Sequence, residues 1–352
     1  SLDAGADSIE IEAEESGFAR ILIRDNGDGM WREDLPKAVL EHATSKIRTI
    51  EDISAIHSFG FRGEALSSIG SVAKLTIMSR REEEEIGGKI TNASGEFSLT
   101  DFAGAKGTTV IVENLFYNTP ARKKFMKAPA AESRVIRETI EKTALAHFGK
   151  SFTLTLNGSV MRFPACSDRA GRIAQIFGKD DAAGLVFEGV KDIKVSVEGF
   201  LSKPHHSKGT RSMQFLFVNG RPVEMKSLGF LLTRAYESAT PQGRYPAAIL
   251  FVSISPELVD VNIHPAKREI KFFDQRYVEQ LIMGLAKKTL VSREQTVTAR
   301  DFTGREEPED VDAVDSIQDL RSPGAPSFAA KRVETPPAYE SQSRFEFSVS
   351  RE

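Results

Sequence analysis

Several short stretches combine glycine with residues able to grip a phosphorylated ligand. Asp25-Asn26-Gly27-Asp28-Gly29 closes an apolar run. Its glycines let the backbone approach a ligand closely, and Asp25 can accept a hydrogen bond from an exocyclic amine. Asn-Gly and Asp-Gly are also strong turn dipeptides, so a plain surface turn is the competing reading. Ala43-Thr44-Ser45-Lys46 sets two hydroxyls beside an ammonium. That set suits phosphate oxygens, and it equally suits a polar helix exit with a cation at its C-terminal end. In Gly60-Phe61-Arg62-Gly63-Glu64-Ala65-Leu66, glycines bracket Arg62 and open a helix. Backbone N–H groups at such a start form a phosphate cradle, although glycines also simply mark helix ends. Gly107-Thr108-Thr109 opens a strand and says nothing alone. Lys267 follows His264-Pro265-Ala266 on a loop stiffened by proline, where a solvated surface charge is the ordinary reading. His264 has no partner at metal-ligand spacing, so no metal-binding histidine is expected.

The spacing also excludes chemistries. No Gly-x-x-x-x-Gly-Lys-Ser/Thr and no protein-kinase signature occurs. One cysteine, Cys166, rules out a disulfide framework and a multi-cysteine zinc site, and fits a reducing cytoplasm. No apolar run reaches membrane-spanning length and no signal-peptide pattern opens the chain.

Elements to position these residues follow from periodicity. Strands are expected at 9–13 and 20–24 (a hairpin), 75–78, 108–112 and 152–156, and helices at 33–42, 64–69 and 131–148. From about 170 a second unit begins, with strands at 193–201, 214–218 and 248–254 and helices at 225–238 and 275–291. The fold class is α+β in two layered domains, 1–165 and 170–292. The 352 residues are 40% hydrophobic and 28% charged, with 47 Lys and Arg against 50 Asp and Glu. The acidity is concentrated at the end, where residues 301–352 carry 12 acidic and 6 basic side chains and five of the 15 prolines. That composition reads as a disordered linker over 293–352. Basic stretches at 122–150 and 202–235 suit phosphate neutralisation, or a solvated face. At the start, Leu2-Asp3-Ala4-Gly5 reads as the last turn of a helix stopped by Gly5. A helix that short does not nucleate alone, so its earlier turns are expected upstream of Ser1.

The order of these motifs is more specific than any one of them. Leu2–Ala6, Asp25–Met30, His42–Lys46, Gly60–Leu66, Phe116-Tyr117-Asn118-Thr119-Pro120-Ala121-Arg122, Val218-Asn219-Gly220-Arg221 and His264–Lys267 together closely resemble the MutL family of DNA mismatch repair proteins, from Ser1 to about residue 290. The wider superfamily of gyrase B, a heat-shock chaperone and the histidine kinases shares only the looser Asp-x-Gly-x-Gly element.

This resemblance implies a GHKL-type ATP-binding sandwich of helices over a mixed sheet, then a second α/β domain of ribosomal-protein type. It implies that Asp25 binds the adenine amino group, that Gly27 and Gly29 shape the pocket, and that Thr108 lies near the adenine. Thr44, Ser45 and Lys46, with Gly60, Phe61, Arg62, Gly63, Glu64, Ala65 and Leu66, match the lid and phosphate segments. Lys267 matches a lysine reaching the γ-phosphate, and Arg221 an arginine of the DNA groove. In the family the general-base Glu and the Mg2+-ligating Asn precede the Ser-Leu-Asp-Ala-Gly segment. They are therefore expected upstream of Ser1, and residues 1–352 alone are expected not to hydrolyse ATP efficiently. The implied function is a cytoplasmic, nucleoid-associated ATPase clamp that pairs with itself on ATP and closes on DNA. Such a clamp couples a mismatch-recognition protein to a downstream nuclease or helicase. The alternative is a DNA-binding adaptor for which nucleotide is incidental.

Overall fold

The computed structural model describes residues 1–40, 63–93, 96–260 and 270–301, with backbone alone for residues 93 and 292–301. Residues 1–303 form one compact unit built on two large sheets, with two further two-stranded sheets among the described residues. The first sheet contains β1 (Ser8–Glu14), β2 (Arg20–Asp25), β3 (Lys74–Arg80), β4 (Gly87–Ala93), β5 (Glu96–Phe102), β6 (Gly107–Glu113), β7 (Ser151–Leu156) and β8 (Ser159–Phe163). Their order is β5-β4-β3-β6-β2-β1-β7-β8. Only the β1–β7 pair is parallel, so the sheet is mixed.

Alternation decides the faces. Ile9, Ile11 and Ala13 of β1 are buried and align with Phe152, Leu154 and Leu156 of β7. They pack under α4 (Pro129–Ala146), through Ile136, Ile140 and Ala144. At the other end of the same face, Leu75, Ile77 and Ile90 pack under α1 (Leu35–Ala38) and α2 (Ala65–Val72), through Leu35, Leu66 and Ile69. A further short helix, α3 (Pro120–Lys124), joins the Phe116–Thr119 loop to α4.

The second sheet contains β9 (Leu185–Lys191), β10 (Val195–Ser202), β11 (Gln214–Val218), β12 (Arg221–Val223) and β13 (Ala248–Ile254), ordered β12-β11-β13-β10-β9. One face carries Val197, Leu216 and Leu250 against α7 (Leu228–Ala235) and α8 (Gln275–Asp301). The other carries Phe217, Ile249 and Phe251 against Ile173 of α5 (Arg169–Phe177) and Leu145 at the end of α4. A short α6 (Lys179–Ala183) follows α5. Ile176 of α5 packs against the cores of both sheets, so α4 and α5 lie between them. No described helix is long and apolar enough to cross a membrane.

Two expectations need correction. The helix expected over 33–42 is a 3-10 turn at Arg32–Asp34 followed by α1, which stops at Ala38. Leu35 and Val39 are already buried there, and Leu40 N–H bonds the Lys37 carbonyl in a tighter turn. Helix α8 runs past the expected linker start at 293 to Asp301, and residues 302–352 lie outside the described residues. The strands β4, β5, β8 and β9 and the helix α5 were not expected.

Candidate nucleotide site

Asp25 ends β2 directly opposite Thr108 of β6, and Ile23 lies opposite Val110. The register puts Asp25, Ile23, Thr108 and Val110 on the helix-covered face, in phase with Ile9, Ile11, Ile77 and Ser79. Between the α4 cluster and the α1–α2 cluster, Ile23 is 37% exposed. An exposed isoleucine in the middle of a buried sheet face marks the floor of an open apolar cleft. Asp25 closes that floor and is only 8% exposed.

The carboxylate of Asp25 is held on both oxygens. Oδ1 accepts the N–H groups of Gly27 (3.0 Å) and Thr108 (3.2 Å), and Oδ2 accepts the Ser1 hydroxyl (2.7 Å). A buried carboxylate fixed by backbone donors keeps its orientation, and Oδ2 retains a lone pair for an amine on the cleft side. The Asn26–Gly29 loop is gripped from two directions. Asn26 Oδ1 accepts the N–H groups of Asp7 and Ser8, both at 2.9 Å, and Asp28 N–H bonds the Ala4 carbonyl at 2.9 Å. Both motif glycines are required sterically. A Cβ on Gly27 would sit 2.6 Å from the Ala4 carbonyl oxygen. A Cβ on Gly29, whose φ is +73°, would sit 2.2 Å from that of Arg80.

Ser79 was missed by the sequence reading and is fully buried. Its Oγ accepts the Met30 N–H (2.8 Å), donates to the Gly107 carbonyl (3.0 Å) and lies 2.9 Å from Thr108 Oγ1. One hydroxyl thus joins the exit of the Asp25 loop to the strand that carries Thr108. A signal was available: Leu75, Ile77 and Ser79 share the buried phase of β3, and a polar residue there needs a partner. Asn92 was missed for the same reason. It ties the Gly70 and Ala73 carbonyls at the end of α2 to the Leu75 N–H.

The remaining expected residues divide into three groups. Gly63, with φ +65°, and Glu64 lead into α2, Ala65 is its first residue, and Leu66 faces the cluster around Ile77. Thr44, Ser45, Lys46, Gly60, Phe61, Arg62 and Lys267 lie outside the described residues. Arg221 starts β12, away from the cleft floor, and is 7% exposed. Burial lowers its pKa, and Asp3 counteracts that. Among the described residues no three His, Cys, Asp or Glu side chains converge. A cavity of about 290 Å³ borders the Asp25 loop: it is lined by Asp25, Asn26 and Thr108 together with Glu10, Arg24 and Met78.

Residues 1–95 match the family described as histidine kinase-, DNA gyrase B- and HSP90-like ATPase, and residues 173–291 match the DNA mismatch repair protein C-terminal domain. The DNA mismatch repair protein MutL of Clostridium botulinum is 41% identical over 293 residues, covering 82% of this chain and 44% of that protein. The MutL protein of Rhizobium johnstonii is 42% identical over 312 residues, covering 86% and 51%. The chain therefore spans about half the length of these curated relatives. Among solved structures, the N-terminal domain of a DNA repair protein superposes with a TM-score of 0.71 at 27% identity, covering 84% of this chain and 92% of that one. The Aquifex aeolicus MutL ATPase domain complexed with ADP gives 0.56 at 25% identity, covering 80% and 91%. An ATPase-type match over the first part of the chain, a mismatch-repair match over the later part, and identities of 41–42% to MutL proteins across more than 80% of this chain place it in its family: it belongs to the MutL family of DNA mismatch repair proteins.

Proposed function

We propose that this chain is the nucleotide-switched part of a DNA mismatch repair ATPase and that the Asp25 cleft is its ATP site. The observation that carries the reading is Asp25 itself. It is a buried carboxylate at the rim of an apolar floor, with backbone donors fixing one oxygen and the Ser1 hydroxyl on the other. The adenine ring fits against Ile23 and Val110, its amino group at Asp25, with Thr108 beside it. The triphosphate then extends toward the segment ending in Gly63–Leu66, where a helix start offers N–H groups to anions. Thr44, Ser45, Lys46, Gly60, Phe61 and Arg62 complete the phosphate contacts, and Lys267 meets the γ-phosphate from the second domain. Bound ATP supplies contacts that ADP lacks, and this difference is what a switch requires. In the complete protein the ATP-bound state pairs two copies through their N-terminal domains and closes them around DNA. Hydrolysis reopens the clamp. Mismatch-recognition protein on one side and a nuclease or helicase on the other read that state, in the cytoplasm at the nucleoid.

Light scattering on the complete protein with a non-hydrolysable ATP analogue tests the switch. A nucleotide-dependent dimer is expected, and an unchanged mass overturns it. Asp25→Asn separates this reading from an adaptor role: loss of repair together with nucleotide binding supports the switch. Repair that survives without nucleotide binding shows the adaptor instead.

A further inference from the structure

One arginine of the second domain, Arg172, is buried without a carboxylate of its own element beside it and reaches the segment that grips the Asp25 loop. Arg172 of α5 is fully buried. Its Nη2 donates to the carbonyls of Phe148 and Lys150 on the turn between α4 and β7, and its Nη1 donates to Gln175 Oε1 at 3.1 Å. From that turn, Lys150 Nζ reaches Asp7 Oδ1 at 2.6 Å, and the next amide, Ser151 N–H, bonds the Asp7 carbonyl at 2.8 Å. Asp7 is the residue whose N–H is taken by Asn26 of the nucleotide loop.

We propose that Arg172 is a positioning residue of the nucleotide site: through the Phe148–Lys150 turn and Asp7 it holds the start of β1 against the Asp25 loop, so the second domain sets how well the adenine end of the cleft is formed. The inference rests on the reading of Asp25 as the adenine-binding residue. A guanidinium desolvated without a neighbouring anion is costly, and such a group is held only by a surrounding that fixes its donors. Arg172 holds the two carbonyls through Nη2 while Nη1 reaches Gln175, acceptors spread over a planar group wider than the single ammonium of a lysine. Coupling of this kind is reciprocal, so a nucleotide that tightens the Asp25 loop also tightens the Phe148–Ser151 turn.

The test is amide hydrogen exchange on residues 1–352 without nucleotide, followed by ADP titration. The variants are Lys150→Ala, Arg172→Lys and Arg172→Gln, with Arg134→Ala as a control, because Arg134 belongs to an exposed pair on α4. Lys150→Ala removes one partly exposed ion pair and leaves the core intact. The expected result is exchange about tenfold faster at Gly27 and Thr108, whose N–H groups bind Asp25, with ADP bound about 3- to 10-fold more weakly. That range corresponds to roughly 0.6–1.4 kcal/mol. Arg172→Gln exceeds Arg172→Lys, and Arg134→Ala changes neither readout. Faster exchange confined to Phe148–Ser151, with Gly27 and Thr108 as in the parent chain, overturns the proposal. So does exchange in Lys150→Ala that equals the parent's at Gly27, Thr108 and Phe148–Ser151 alike. Exchange is read without ligand, so a chain that binds no ADP sinks the nucleotide reading while the exchange result still decides the coupling.

Discussion

Replacing Ser79 by alanine is the sharpest test of how the cleft is built. The hydroxyl is fully buried and serves three groups: it accepts from Met30 N–H at 2.8 Å, donates to the Gly107 carbonyl at 3.0 Å and sits 2.9 Å from Thr108 Oγ1. Alanine fits the same space, so no overpacking arises. What is lost is satisfaction of a backbone donor and a backbone acceptor. One neutral hydrogen bond contributes about 1 kcal/mol net, and a buried group left unmatched costs about 1–3 kcal/mol. The Gly107 carbonyl bond is buried and the Met30 N–H bond only partly so, and the lower part of the range applies twice. The sum is about 2–3 kcal/mol, a factor of roughly 30 or more in the folded-to-unfolded ratio. Urea unfolding with an unchanged slope measures it directly. The loop from Asp25 to Met30 loses its far anchor, so ADP affinity falls in the same variant. A Ser79→Ala chain within 0.5 kcal/mol of the parent and binding ADP equally refutes the claim that this hydroxyl fastens the loop to β6.

Other outcomes follow from the same geometry. Gly29→Ala forces a Cβ against the Arg80 carbonyl at φ +73° and is expected to abolish ADP binding, whereas Gly158→Ala, with φ +83° and open space around it, costs only about 1 kcal/mol of strain on the same urea assay. Burial pushes the His147 imidazole below its usual pKa, with Lys150 adding to the shift and Asp3 opposing it. The neutral form is favoured in the fold. The resulting stability is therefore fully present above the unfolded pKa near about 6.5 and is lost as pH falls through the folded value. His147→Gln should flatten that acid slope in urea melts, and an unchanged slope contradicts the assignment. Tyr236 is fully buried, donates to the Ser202 carbonyl at 2.8 Å, and burial holds its pKa above the usual tyrosine value. Stability is expected to decline as pH rises beyond about 10, and Tyr236→Phe to remove that decline at a cost of about 1 kcal/mol.

Much of this architecture was readable before any coordinates. The alternation Ile9-Glu10-Ile11-Glu12-Ala13 gave a half-buried strand, and Gly5 after Leu2–Ala4 gave a left-handed stop, found at φ 70°. The Asp25 motif was ambiguous alone because a turn and a ligand loop use the same residues. Its partner Thr108 lies 83 positions away, and only strand register brings the two together. The β4–β5 hairpin gave no signal because β5 exposes nearly every side chain, so no period marks it. Arg221 shows the other limit. It stood in a basic stretch that reads as a solvated or phosphate-binding face, yet it is buried beside the first domain. Charge type announces a partner but not whether that partner is solvent, phosphate or the protein itself.

The central claim is that Asp25 recognises the adenine amino group. Titration calorimetry with ADP, comparing the parent chain with Asp25→Asn, tests it most directly. Asparagine keeps an oxygen for Gly27 and Thr108 but presents an NH2 group to the cleft, so the fold survives and one charged hydrogen bond is lost. Affinity is expected to fall about 10- to 100-fold, the equivalent of roughly 1.5–3 kcal/mol, with an unchanged unfolding midpoint. Equal heats and equal affinity for both chains would contradict the account.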